Sequence, residues 1–231
     1  GNSGGPAIEF RHDHPVLIGT VSYAVNCSAT QKNASLGAHP WVVVVLQNNR
    51  HHCTGSILND KWVMTAAHCF NKSDPTSKPS NFTIRTGTLL RLDGNEYPVA
   101  KIVQHPQWNY WGFKNSDIAL MKINGTIDMG ENIKPIDLPK TLFEEPVREH
   151  VIVAGWGKRF LNSSVTLLLA NEFKLNVIPN GRCAQAYTTI QYMTYKSQLC
   201  TWNRNQTVCE GNSGGPAVEY RHDLILQKIA K

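Results

Sequence analysis

Almost the same thirteen residues occur twice in this chain, a whole domain length apart. Residues 1–13 read GNSGGPAIEFRHD and residues 211–223 read GNSGGPAVEYRHD. The copies differ only at Ile8/Val218 and Phe10/Tyr220, both conservative swaps. Repeat periods of about 20–50 residues build solenoids. A period of 211 − 1 = 210 residues instead marks one domain. The chain therefore reads as the tail of one unit (1–27), a linker (28–33) and most of a second unit (34–231). Tandem domains and a rearranged fragment both fit that layout. A chain that opens inside a motif reads as a fragment or a processed product.

Short apolar runs alternate with Gly, Pro, Asn and Asp between the copies. They are Trp41–Leu46, Ser56–Leu58, Trp62–Thr65, Phe82–Arg85, Tyr97–Val103, Ile118–Ile123, His150–Ala154 and Phe173–Val177, with Val16–Val25 after the first copy. Such spacing, with little helical periodicity, predicts an all-β barrel or sandwich. Short helices are expected at Thr65–Phe70 and Asn180–Tyr187, and the polar stretch 26–39 reads as a linker. No run approaches the roughly 18 apolar residues of a membrane helix, so no membrane partner is expected. The net charge of +6 is scattered along the chain. Nucleic-acid binding needs basic residues clustered on one face, so no nucleic-acid partner is expected either.

Two counts point outside the cell. Six cysteines suit three disulfides, although an even count alone is weak. N-x-[ST] sequons start at Asn33, Asn71, Asn81, Asn124, Asn162 and Asn205, with a seventh at Asn26 whose middle residue is Cys27. A three-residue motif recurs by chance, but this density in turn-like surroundings predicts a secreted glycoprotein.

Three contexts carry chemistry. His68 lies in TAAHC, Asp117 in DIAL and Ser213 in the second GNSGGP. A serine hydroxyl becomes a nucleophile when a base takes its proton and an acid orients that base. Singly, a surface histidine, a turn aspartate and a turn serine are the bland readings. Their order and surroundings argue otherwise: HPWVVVVL (39–46), CTGSILNDKWVMTAAHC (53–69), HPQWN (105–109), DIALMKI (117–123) and AGWG (154–157) all occur in sequence. On these residues, 34–231 resembles the chymotrypsin/trypsin family of serine proteases.

The resemblance implies two six-stranded antiparallel β-barrels, the second either incomplete or completed by the N-terminal segment. It implies that Ser213 attacks a peptide carbonyl, His68 carries the proton and Asp117 fixes the imidazole. The backbone N–H groups of Gly211 and Ser213 would hold the oxyanion, each such donor being worth about 3 kcal/mol in the transition state. It further implies a secreted endopeptidase that acts on peptide or protein substrates, is open to protein protease inhibitors, and needs no metal or organic cofactor. Only the second copy has a histidine and an aspartate ahead of it, so Ser3 reads as a remnant. The rival from another class is a catalytically silent homologue acting as a binding or regulatory module. A carbohydrate-binding or structural β-domain would leave the three contexts unexplained.

By the same resemblance, Cys53 pairs with Cys69 and Cys183 with Cys200. Cys209 lacks the partner that the family has about two dozen residues after the nucleophile loop, while Cys27 stands 27 − 3 = 24 residues after Ser3. Either Cys27 bonds Cys209 and residues 15–27 supply a missing strand, or the two thiols are unrelated remnants. The truncated second unit would otherwise expose a sheet edge.

The family pattern breaks at two linked points. Family members mature by freeing an Ile-Val-Gly-Gly-like N-terminus whose ammonium pairs with an aspartate before the nucleophile. Here SATQKN (28–33) precedes Ala34, and Asn212 replaces the aspartate. A neutral amide cannot offset the desolvation of a buried ammonium. By the same resemblance, Thr207 occupies the floor of the primary pocket, where trypsin-like enzymes selective for Arg or Lys carry Asp, and Val208 belongs to the same pocket. A hydroxyl cannot neutralise a guanidinium, so a small or medium apolar side chain is expected there. Ser22, Tyr23 and Ala24 would form the pocket's edge.

Overall fold

The computed structural model describes residues 8–10, 14–21, 32–71, 74–108, 116–139, 150–158, 170–179, 199–205, 207–221 and 224–226. In chain order the strands are β1 (Ile8–Phe10), β2 (His14–Thr20), β3 (Lys32–Asn33), β4 (Val42–Gln47), β5 (Arg50–Ile57), β6 (Trp62–Thr65), β7 (Phe82–Thr86), β8 (Asn95–Gln104), β9 (Ala119–Ile123), β10 (His150–Gly155), β11 (Asn171–Ile178), β12 (Cys200–Trp202), β13 (Pro216–Arg221) and β14 (Leu224–Leu226). The protein is all-β.

The first unit is a closed barrel in the order β4-β5-β6-β9-β8-β7. Its opening hairpin turns through Asn48 and Asn49, both left-handed at φ 49° and 61°. Two successive left-handed residues match the right-handed twist of the flanking strands, and asparagine tolerates that conformation better than most residues. Strand β4 has no polar face because both of its faces are covered. Val43 and Val45 point into the barrel core with Phe82 and Met121. Val42, Val44 and Leu46 pack on the other side with Trp156 and Ala154. A continuous apolar run is the sequence signature of such a strand.

The second unit is a six-stranded sheet in the order β12-β11-β10-β13-β2, with β3 also paired to β11. Its core gathers Val151, Val153, Phe173, Leu175 and Ala217. The edge of β13 is covered by β2, from the segment that follows the first GNSGGP copy. The antiparallel register runs from Pro216↔Thr20 to Arg221↔His14, with a bulge between Ala217 and Val218. Strand β2 covers the β13 edge across residues 14–20, while Cys27 lies outside the described residues. The leftover halves, β1 and β14, pair with each other as a two-stranded sheet.

Two expectations shift in detail. The stretch read as a linker carries β3, whose Lys32 and Asn33 pair with Glu172 and Asn171. The helix expected at Thr65–Phe70 is a single 3-10 turn, Ala67–Cys69, and the one expected at Asn180–Tyr187 lies outside the described residues. No helix among the described residues is long and apolar enough to cross a membrane.

Candidate active site

The site forms where the ends of the first barrel's strands meet the loop before β13. Strand β6 runs through Thr65 into the 3-10 turn that presents His68, and the Cys53–Cys69 disulfide ties that turn back to β5. Asp117 stands two residues before β9, which pairs with β6. A tight turn aims it: Ser116 takes φ 52°, and Ile118 N–H donates to Ser116 O across Asp117 at 2.7 Å.

Asp117 grips His68 twice. The backbone N–H of His68 donates to Oδ1 at 2.8 Å, and ring Nδ1 meets Oδ2 at 2.7 Å. A carboxylate only accepts, so the shared proton belongs to Nδ1, and in the neutral ring the lone pair is on Nε2. The Asp117 side chain is 7% exposed and that of His68 is 34% exposed. The acid is shielded while the imidazole still reaches solvent, the arrangement a proton carrier needs.

The Ser213 loop is stitched onto the strands that lead to His68. Thr54 N–H donates to Ser213 O at 2.8 Å, and Thr54 Oγ1 donates to Gly211 O at 2.9 Å. Thr65 Oγ1 donates in turn to Thr54 O at 2.8 Å. Both threonines are fully buried. Their signal in the sequence is slight, since threonine is an ordinary strand residue. Gly211 takes φ 94° and Gly214 takes φ 78°, both in the left-handed region that favours glycine. A Cβ on Gly214 would collide with Thr65 Oγ1 and Thr54 O and come within 2.7 Å of Ala66 N.

Asn212 lies beneath this loop with no exposed surface. Its Oδ1 accepts from Gly157 N–H at 3.0 Å, and its Nδ2 finds no partner among the described residues. The glycines of AGWG make the room: a Cβ on Gly155 would lie 2.6 Å from Asn212 Oδ1, and one on Gly157 2.5 Å from Asn212 Cγ.

Val208 is buried in the second core with Val21, and Thr207 is half-buried beside it. Cys200 and Cys209 are both disulfide-bonded. Cys27, Cys183, Asn162 and the Ser22–Ala24 edge lie outside the described residues. Asn33, Asn71, Asn124 and Asn205 are exposed, whereas Asn81 is half-buried and donates Nδ2 to Thr76 O. Cys53, His68 and Cys69 bring ligand-type atoms within 4.8 Å of one another. Both sulfurs are consumed in the disulfide, so no thiolate is on offer to a metal.

A two-unit β fold with a carboxylate-oriented histidine beside a glycine-bounded serine loop defines a class, the chymotrypsin-like serine protease scaffold. Comparison with known proteins gives the family: the sequence matches the trypsin family across residues 30–227, and the chain belongs to it. It is 32% identical over 202 residues to human mannan-binding lectin serine protease 1, covering 80% of this chain and 28% of that protein. It is 28% identical over 187 residues to human transmembrane protease serine 11B, covering 80% of this chain and 44% of that one. The chain thus spans less than half the length of these relatives. Among solved structures it is similar to neuropsin, a serine protease expressed in the limbic system of mouse brain. The TM-score is 0.71 and the identity 25%, over 86% of this chain and 84% of that one.

Proposed function

We propose that the chain is a secreted serine endopeptidase working through an acyl-enzyme. Ser213 Oγ passes its proton to His68 Nε2 and bonds to the carbonyl carbon of the scissile peptide. The carbonyl oxygen takes up the electron pair and faces the N–H groups of Gly211 and Ser213. The tetrahedral species collapses, the amine departs with the proton from His68, and water activated by the same imidazole releases the acid. The observation that carries this reading is the double grip of Asp117 on His68. It favours, in the neutral ring, the tautomer whose Nε2 can accept a proton.

Thr207 carries no charge, which argues against selection for Arg or Lys, and a small or medium apolar side chain is the preferred partner. Exposed sequons at Asn33, Asn71, Asn124 and Asn205, with disulfides, support a secreted glycoprotein. Protein inhibitors that present a substrate-like loop are further partners. In this reading residues 34–231 form the catalytic unit and residues 1–27 belong to a preceding one.

A fluorophosphonate probe tests the nucleophile. The full chain is expected to form a covalent adduct at Ser213, slowed roughly 10²–10⁴-fold in His68→Ala. No adduct on folded chain would support the second reading, a silent homologue. The observation favouring that reading is Asn212, a buried amide where the family's charged switch would sit. Peptide-library cleavage that strongly prefers Arg or Lys would overturn the pocket assignment.

A further inference from the structure

Two segments that open on near-identical residues and diverge after Asp13 and Asp223 compete for one sheet, and the outcome crosses them. In each copy a strand is followed by Arg-His-Asp and a second strand. Local pairing would join β1 to β2 and β13 to β14. The structure instead joins β13 to β2 and β1 to β14. Matching positions, offset by 210 residues, give the physical reason. Leu17, 2% exposed, corresponds to Gln227, and Val21, 9% exposed, corresponds to Lys231. The segment after β13 would bring an amide and an ammonium to sites that demand apolar side chains, and burial of either without partners is costly.

The donated strand does not stop at the sheet edge. Val21 N–H donates to Gly215 O and Gly214 N–H donates to Val21 O, both at 2.8 Å. These two bonds hold the residues directly after Ser213. On its other side Leu17 N–H donates to Asp137 O at 2.8 Å, in the segment between the first barrel and β10. Thr20 Oγ1 reaches towards Asp117 O at 3.5 Å.

We propose that residues 14–21 are a donated strand from one repeat that completes the catalytic sheet of the next, with Leu17 and Val21 as positioning residues for the Ser213 loop. The β13 edge is thus a recognition surface for an extended apolar strand of the type His-Pro-Val-Leu-Ile-Gly-Thr-Val. The part of the proposal that concerns Ser213 rests on the protease reading above. The strand itself does not, and the tests separate the two.

Hydrogen exchange on the full chain reads the strand directly. Amides of residues 16–21 are expected to be protected together with β10 and β13. Exchange of that segment at unstructured rates while β10 stays protected would overturn the proposal, whatever the enzyme's activity. The double variant Leu17→Gln, Val21→Lys installs the residues of the other copy. Its Ser213 is expected to react with fluorophosphonate at least tenfold more slowly, with exchange protection of the first barrel unchanged. A synthetic peptide of residues 14–21 is expected to bind this variant and restore part of the labelling. Unchanged labelling in the variant would remove the positioning role. Should the wild-type chain form no adduct, protection of residues 16–21 and peptide binding by the variant still decide the strand, and only the protease reading fails.

Discussion

Asn212 shows how one side chain decides what a buried niche will accept. The niche is closed by Gly155 and Gly157 and offers one donor, Gly157 N–H. A carboxylate there would keep that one donor but lose its hydration, and desolvation would raise its pKa. Because the folded-state value would lie above the unfolded one, its proton-bound form favours the fold. Stability would be intact at low pH and lost as pH rises through the raised value. Asn212→Asp is therefore expected to lose about 3 kcal/mol or more at neutral pH. Most of that should return at pH 4–5, as measured by denaturant titration across pH. A difference from wild type that does not vary with pH would mean that a cation reaches the site. The residue was legible as a departure from the family pattern. The match between the amide and the AGWG glycines was not, because a close approach leaves no mark beyond the glycines themselves.

At the scale of elements, the loop before β13 works as a staple between two units. It is fastened by backbone carbonyls and buried threonine hydroxyls. A Gly214→Ala change would force a left-handed residue with a Cβ into Thr65 and Thr54. The expected result is a loss of about 2–4 kcal/mol of stability, with a drop in fluorophosphonate labelling at Ser213. Thermal denaturation and labelling rates check it. Most strands could be read from the sequence, since β6 is bounded where its apolar run is and β4, β7, β9, β10 and β11 lie within a residue or two of theirs. Strand β3 was hidden because Lys32 and Asn33 are two exposed polar residues with no apolar alternation, held by backbone pairing and by the ion pair of Lys32 with Glu172. The partner of β13 was open for a different reason. Two segments follow the same motif and diverge only beyond Arg-His-Asp; Leu17 and Val21 are buried where the second copy carries Gln227 and Lys231 in sequence.

For the whole molecule, acid stability has an identifiable contributor in the first barrel. His51 on β5 is pushed down from 6.5 to about 4, first by burial and then by the charge of Arg91, against a raising contribution from the Cys53 backbone. Its folded value lies below its unfolded one, so the unfolded chain takes the proton first as pH falls. The stabilisation is complete above pH 6.5 and is lost on the way down to about pH 4, a change on the order of 3 kcal/mol. His51→Gln is expected to flatten the stability–pH curve across that window, and urea midpoints at half-unit intervals would measure it. A curve of unchanged slope would assign the acid sensitivity elsewhere.

The crossing of the hairpins also sets a timetable. His14 pairs with Arg221, a separation of 221 − 14 = 207 residues. Closing a loop of that length carries an entropic cost of about 5 kcal/mol before any contact compensates it. Ribosomes add about 5–20 residues per second, so β2 leaves the tunnel roughly ten to forty seconds before its partner strand exists. During that interval β2 has been made and β13 has not. The sheet is closed by two strands made far apart in time, and the yield of folded protein depends on what shelters β2 until β13 arrives.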